Sequence, residues 1–401
     1  DIRLHFTTNT DGAATSLHVN FGQDSSFAGT ETAQGNADAN GNGDFFYAPP
    51  SGFLAMCTNN LPEPAVIPSE HFNTAIYTGN GSTQNITTVG FLPSFTWIKN
   101  RAAADSNQLF DAVRGVTKTL HSDTTAVEGT NDDTLTHFLS NGFTTGDDVV
   151  TNTNNEAYAS WNWKANGSGS SNTDGDINST VSVNTDAGFS IVSYDGNGSS
   201  AGATVGHGLS KAPELILPKN RGATGSWHSY HKGLDASAPE DKGILLNANN
   251  GLADDAGFFH DTAPTSSLIT LGTYNVFNND YIAYCFHSVD GYSKVGSYTG
   301  LSSADSNFIN LGFRPAFLLI KCAGANGYDW TIWDNKRDTQ NVGGLVLFAS
   351  NNNDEYSDVK IDFLSNGFKL RANDGAVNNP SYSPYVYYAV AETPFKYSNA
   401  K

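Results

Sequence analysis

The chain contains one methionine, Met56, and three cysteines in 401 residues. Cys57, Cys285 and Cys322 are odd in number, far apart, and include no C-x-x-C pair, so the spacing of a zinc site or a thioredoxin-like redox centre is missing. Cys285 and Cys322 lie in or beside apolar runs and read as small buried hydrophobes. A fold that does without disulfides fits synthesis in a reducing cytoplasm. Positive charge is also scarce: 21 Lys and Arg stand against 40 Asp and Glu, for a net charge of −19. The basic residues are scattered singly, which argues against a nucleic-acid partner, because a phosphate-neutralising surface needs them clustered. No apolar run approaches the ~20 residues that span a bilayer and no secretory leader opens the chain, so membrane insertion is not expected. The first residue is Asp1 rather than methionine, which points to processing or to residues that precede this sequence.

Aromatic residues and glycine are plentiful: 24 Phe, 17 Tyr, 6 Trp and 40 Gly, with only 15% charged residues. Asn, Ser, Thr and Asp are abundant as well. Aromatic-rich, methionine-poor chains of this kind favour pleated surfaces joined by tight turns over helices. The fold class expected is all-β.

One plan is written three times. It runs from an aromatic-plus-Gly turn through a Gly-centred segment to Pro, an apolar run and Lys-Asn-Arg or Lys. The copies are YTGNGSTQNITTVGFLPSFTWIKNR (Tyr77–Arg101), YDGNGSSAGATVGHGLSKAPELILPKNR (Tyr194–Arg221) and YTGLSSADSNFINLGFRPAFLLIK (Tyr298–Lys321). A spacing of about 105–115 residues marks tandem domains. LFDAVRG, WHSYHKG and WTIWDNKR correspond between copies, HFLSNGF matches DFLSNGF, and aromatic-rich strands close each repeat. The organisation expected is residues 1–61 as the end of one sandwich, with short strands Phe45–Tyr47 and Phe53–Cys57. An extended Pro-rich linker follows at 62–70. Three β-sandwich repeats then occupy 71–167, 177–291 and 292–397, each burying its own aromatic core, with 168–178 as a flexible acidic connection. The first repeat predicts strands at Thr74–Tyr77, Phe95–Lys99, Leu109–Val113, Thr134–Leu139 and Ala157–Lys164. In the last of these Tyr158, Trp161 and Trp163 break parity, which calls for a bulge or a strand buried on both faces.

Chemistry is harder to find. There is no G-x-S-x-G elbow, no H-E-x-x-H and no phosphate loop, and with 40 acidic residues chance carboxylate pairs decide nothing. The chain reads as non-enzymatic. Lys99 with Arg101, Lys219 with Arg221, and Lys321 recur after each apolar strand, so they read as structural, for example paired with a carboxylate on a neighbouring strand. His228 and His231 lack a third ligand, and their counterparts in the other repeats are not histidine, so no metal site is assigned. The oxygen-rich loops Asn351–Asp358 and Ala372–Gly375 are the weak calcium candidates; Asn172–Asn178 fails the EF-hand pattern. Tyr77, Tyr194, Tyr298 and Tyr328 are the candidate ligand-binding residues, as aromatics expected on loops.

The segment GDFFYAPPSGFLAMCTNNLPEP resembles the closing strands of a SPRY-type, concanavalin-like sandwich as found in phage and marine viral proteins. The three blocks that follow, including the ending AETPFKYSNAK, are similar to the repeat domain that accompanies SPRY there. Nearly the whole chain is covered. The resemblance implies tandem jelly-roll or concanavalin-like sandwiches after a partial SPRY-like sandwich, in a virion surface protein of a tailed, marine bacteriophage. It implies a tail fibre or appendage that assembles as a homo-oligomer, a trimer if a fibre, with other virion proteins, and presents loops to a host glycan or receptor. It supplies no catalytic residues. The alternative is an architectural role without a ligand, as a capsid decoration protein or an extracellular filament subunit. A polysaccharide-degrading tailspike ranks third, because the ~105-residue period does not resemble a short-period β-helix.

Overall fold

The strand Ala157–Trp163 is buried from Tyr158 to its end, so both of its faces need partners. Alternation sends Tyr158 to one side, where it packs with Ile98, Phe110 and Phe143. Trp161 and Trp163 go to the other side, into a core shared with residues from Phe189 to Val390. The strand pairs in unbroken register with both neighbours. The parity break is therefore double burial, not a bulge.

The computed structural model describes residues 18–61, 64–196, 198, 200–305 and 307–394. The chain falls into two compact units, Asp1–Glu63 and Pro64–Lys401. It is all-β, and the second unit is built from three sandwiches of one design. Each repeat has a sheet of five equivalent strands with spatial order first, fifth, second, third, fourth. In repeat 1 these are Phe72–Thr78, Phe95–Asn100, Gln108–Asp111, Gly115–Leu120 and Ala157–Trp163. Repeat 2 uses Phe189–Asp195, Leu215–Asn220, His228–His231, Lys242–Leu245 and Asp280–Phe286. Repeat 3 uses Ser293–Tyr298, Phe313–Cys322, Thr331–Asp334, Gly343–Phe348 and Tyr385–Pro394. Short outer strands cover one face: in repeat 1, Gln84–Ile86, Leu135–Leu139 and Gly142–Thr145. The SNG turns close two-residue hairpins, Leu139↔Gly142 and Leu364↔Gly367.

The opposite faces of the three sheets meet one another. Residues of the fifth strands alternate in all three repeats: Tyr281, Ala283 and Cys285 face a private core while Ile282, Tyr284 and Phe286 face the shared one. Tyr387, Ala389 and Ala391 are split in the same way from Val386, Tyr388 and Val390. Aromatic contacts then close a ring. Phe95 of repeat 1 stacks on Tyr284 of repeat 2 at 4.3 Å. Phe286 of repeat 2 meets Tyr388 of repeat 3 at 4.7 Å. Phe317 of repeat 3 meets Trp161 of repeat 1 at 5.8 Å. Trp97, Trp161, Trp163, Trp227 and Trp330 all enter the shared core, so the expectation of separate aromatic cores holds only for one face of each repeat. Burying so much aromatic area is the largest favourable term available to such a chain.

Several local expectations need correction. The linker region is anchored at Val66 and Pro68: Val66 enters the shared core and Pro68–Glu70 forms a 3-10 turn with Pro68 buried. Pro62 and Glu63 lie outside the described residues. Residues 168–178 are not a free connection, because Ser170–Asn172 pairs with the hairpin strand Ser179–Asn184 and extends the sheet of repeat 2. In the first unit Phe45–Tyr47 and Phe53–Cys57 form no strands. Phe45 makes an isolated bridge to Asn36, and buried Asp38 accepts from the Asn42 and Ala55 amides, so side-chain-to-backbone bonds organise this segment instead. The first 17 residues of the sandwich expected over 1–61 lie outside the described residues, as does the tail after Pro394.

Candidate functional site

Alternation along the second strand of each repeat sets the fate of the Lys-Asn-Arg signal. Lys99 shares a face with Phe95 and Trp97 and is wholly buried at the edge of the shared core. Its Nζ donates to the carbonyls of Asn100, Ala103 and, across the junction, Asn352 of repeat 3, at 2.8, 3.3 and 3.2 Å. Lys219 donates to Gly225 and to Thr125 of repeat 1, and Lys321 to Tyr328. Desolvation lowers all three ammonium groups to about 8. The lysines thus bind backbone carbonyls, not the carboxylates expected.

The arginines do find carboxylates, and those belong to an adjoining repeat. Arg221 donates twice to Glu128, at 2.8 and 3.0 Å, and Arg101 twice to Glu355, at 3.0 and 2.6 Å. Each glutamate also touches a second, fully buried arginine: Glu128 meets Arg114 at 3.3 Å and Glu355 meets Arg337 at 2.8 Å. Arg114 and Arg337 in turn hold the buried Asp111 and Asp334. Asp111 accepts from the Tyr284 hydroxyl and Asp334 from the Trp161 indole, both from the adjoining repeat. Burial would raise the Glu128 carboxyl, but hydrogen bonding and charge from Arg221 and Arg114 outweigh it and hold the group below its ordinary value.

These chains join repeats 1 and 2 and repeats 3 and 1. At the junction of repeats 2 and 3 the four equivalent positions carry His231, Leu234, Leu252 and Ala323. The backbone match is direct: Leu252 N donates to Ala323 O, as Glu128 N does to Arg221 O and Glu355 N to Arg101 O. All four charges are replaced together by groups that need no counter-charge, with Leu234 and Ala323 in the shared core. His231 is buried and neutral in its Nε2–H form, since Nδ1 accepts from the Gly233 amide and Nε2 meets the Tyr387 carbonyl.

The tyrosines that sequence placed on loops are strand residues. Tyr77, Tyr194 and Tyr298 stack on Tyr158, Tyr281 and Tyr385 of the fifth strands, at 5.1, 5.2 and 5.1 Å. Their hydroxyls donate to the carbonyls of Thr151, Asn275 and Val377. Each belongs to its own repeat, and none is a free platform. Tyr328 does lie on a loop, half-buried against Tyr382, while its carbonyl receives Lys321.

The stacked pairs organise one loop apex per repeat. The amides of Thr153, Phe277 and Asn379 donate to Tyr158, Tyr281 and Tyr385, so these three are equivalent positions. Gly79, Gly196 and Gly300 are required opposite them: a Cβ would stand 2.1 Å from Thr153 O, 2.1 Å from Phe277 O and 2.5 Å from Asn379 N. In repeat 2 the apex opens into a cleft of about 440 Å³ lined by Asn220, Thr224, His228, Tyr274, Phe277 and Asn278. Sequence reading missed this cleft. The available signal was Phe277, an aromatic just before Asn278 and Asn279 where both sister repeats are polar. A second, open cleft of about 840 Å³ belongs to the N-terminal unit and is rimmed by Phe27, Phe46, Tyr47, Phe53 and Leu54.

Among the described residues no group of three His, Cys, Asp or Glu side chains is placed to hold a metal ion. In the two loops considered for calcium, Glu355 is held by Arg101 and Arg337, and Asp358 and Asp374 both pair with Lys360. Cys285 and Cys322 are buried and unpaired, and burial pushes the Cys285 thiol up to about 12. No helix among the described residues is long and apolar enough to cross a membrane.

No curated protein matches the chain. A family model, described as a domain of unknown function (DUF7483), matches residues 67–394 as one block. That block spans all three repeats and excludes the N-terminal unit, in keeping with a body whose repeats share a core. The chain belongs to the DUF7483 family.

Proposed function

We propose that the chain is a non-enzymatic virion surface protein of a tailed bacteriophage, part of a tail fibre or appendage that attaches the particle to a host surface or its glycans. The observation that carries this reading is the use made of recurring charge. The Lys, Arg and Glu residues repeated along the chain join one repeat to the next, so the recurring motif serves to assemble a body rather than a reactive centre. Such a body holds loop apices in fixed relation, which suits adhesion. The SPRY-like wording of residues 43–64 supports the same assignment. The expected partners are further copies of the chain, as a trimer in a fibre, and other virion proteins.

Locating the chain on intact particles by electron cryomicroscopy tests this. Density in a tail-associated appendage is the expected result, and density confined to the capsid overturns it. A second reading is favoured by the threefold repetition of one strand order: one chain with three like sandwiches fits a threefold position of a shell, as a decoration protein without a ligand. A filament subunit is the other form of that reading. A fixed capsid copy number selects the decoration protein.

A further inference from the structure

We infer that the apical cleft of repeat 2 is a saccharide-binding site that takes a neutral sugar ring. The inference deepens the attachment reading, and rests on it for its biological sense.

The three apices differ at equivalent positions. At the position whose amide donates to the stacked tyrosine, repeat 1 has Thr153 and repeat 3 has Asn379, whereas repeat 2 has Phe277. The residue whose carbonyl receives that tyrosine's proton is Val149, Gly375 or, in repeat 2, Tyr274. At the head of the third strand the equivalents are Gln108, Thr331 and His228. The shared architecture needs none of the three aromatic choices, since two sister apices close without them.

Packing accounts for only part of the trio. His228 stacks on Tyr274 at 4.3 Å with planes 18° apart, and the Tyr274 hydroxyl is held by Asp255 at 2.7 Å, so this pair forms a fixed wall. Phe277 remains 54% exposed at the mouth of the cleft. Its backbone is pinned on both sides, with the amide on Tyr281 and the carbonyl against Gly196. An exposed ring on a fixed backbone loses little freedom when a ligand covers it.

Around these rings the cleft carries polar groups of one kind. Thr224 and Asn278 are exposed and make no side-chain hydrogen bond among the described residues. A hydroxyl and a primary amide offer donors and acceptors together, which match sugar hydroxyls, while the ring faces match the apolar C–H face of a pyranose. Among the described residues no side chain lining the cleft carries a full charge near neutrality: burial lowers the His228 imidazole to about 4. A neutral sugar is therefore favoured over a sialylated or sulfated one. The volume of about 440 Å³ accommodates one to two rings.

The test uses the purified full chain and a panel of neutral mono- and oligosaccharides of glucose, galactose, mannose and N-acetylglucosamine, read by saturation-transfer NMR and by titration. At least one member should bind, and Phe277→Ala or Asn278→Ala should weaken it tenfold or more. Thr153→Ala at the equivalent apex of repeat 1 should leave the affinity unchanged. Unaltered melting of the Phe277→Ala chain, expected from its exposure, keeps the loss attributable to the cleft. No binding across the panel, or binding indifferent to Phe277, overturns the proposal. Either result stands apart from particle localisation, so a chain found in a tail appendage without sugar binding refutes the cleft and leaves the attachment reading intact.

Discussion

Arg221 of repeat 2 and Glu128 of repeat 1 meet in a two-pronged ion pair across a repeat boundary, with both contacts at 3.0 Å or less. The pair continues inward to Arg114 and Asp111, which have no exposed side-chain surface. Removing one member of such a chain leaves the rest buried without compensation. Glu128→Leu should cost about 3–5 kcal/mol by chemical denaturation. Converting all four positions to the set found at the third junction (Asp111→His, Arg114→Leu, Glu128→Leu, Arg221→Ala) should recover a large part of that loss. Simple addition of the four single effects would show that the positions do not act as a unit.

The tyrosine pairs lead to a prediction that separates packing from recognition. Tyr194→Phe removes the bond to the Asn275 carbonyl and should cost about 1 kcal/mol, and Tyr194→Ala about 3–5 kcal/mol by analogy with other buried aromatics. Saccharide binding at the repeat 2 cleft should be unchanged in the Phe variant. A selective loss of binding with full stability would restore Tyr194 to the ligand site.

Gly196 is needed for the closeness of two backbones. Gly196→Ala would place a methyl group 2.1 Å from the Phe277 carbonyl oxygen and should destabilise by about 1–3 kcal/mol or more. Gly225→Ala is the matched control, since a Cβ there meets nothing within 4 Å. Its melting temperature should stay within error of the parent.

Acid sensitivity follows from histidines that are neutral by construction. In His207 and His231 one ring nitrogen accepts a backbone amide while the other faces a carbonyl, and burial lowers both imidazoles to about 4. The folded-state value lies below the unfolded one, near 6.5, so the unfolded chain binds more protons between them. Stability is fully present above pH ~6.5 and should fall as the pH drops from there toward 4. His231→Gln keeps a donor for Tyr387 and should flatten that slope. An unchanged melting temperature between pH 7 and 5 would contradict the assignment.

Because the repeats share a core, the unit from Pro64 onward should unfold in one transition, with calorimetric and van't Hoff enthalpies equal. Deleting repeat 3 would strip Phe317, Trp330 and Tyr388 from that core. It should abolish the folded state of the remainder rather than leave two intact sandwiches.

Much of this fold could be read from residues. The strands around Phe95, Leu109, Leu135 and Ala157 were legible because alternation and turn chemistry are local signals. The wording of the repeats likewise marked out the three sandwiches. What could not be read was the second partner of each sheet. Trp161 beside Tyr158 signalled double burial, but no local pattern says that the other side is Phe317, more than a hundred residues away. The same gap explains the tyrosines: Tyr77, Tyr194 and Tyr298 each stand two residues before a turn-like glycine, and only cross-strand register reveals Tyr158, Tyr281 and Tyr385 beneath them. The co-replacement of Asp, Arg, Glu and Arg by His231, Leu234, Leu252 and Ala323 was in principle visible. Its meaning required knowing which repeats touch.

The contacts that tie repeat 1 to repeat 3 bear on how the chain reaches its folded state during synthesis. Arg101 and Glu355 are 254 positions apart, so the ribosome needs on the order of tens of seconds after making the first before it releases the second. Trp97 from the start of that interval, and Trp161 and Trp163 from their synthesis onward, wait on the nascent polypeptide without the partners that repeat 3 supplies. Early folding can begin private cores, but the last step is a long-range closure of the slow, high-contact-order kind. A truncated or stalled translation product would therefore present a wide aromatic face, and this protein's yield in a cell should depend more on chaperone capacity than on the stability of the finished molecule.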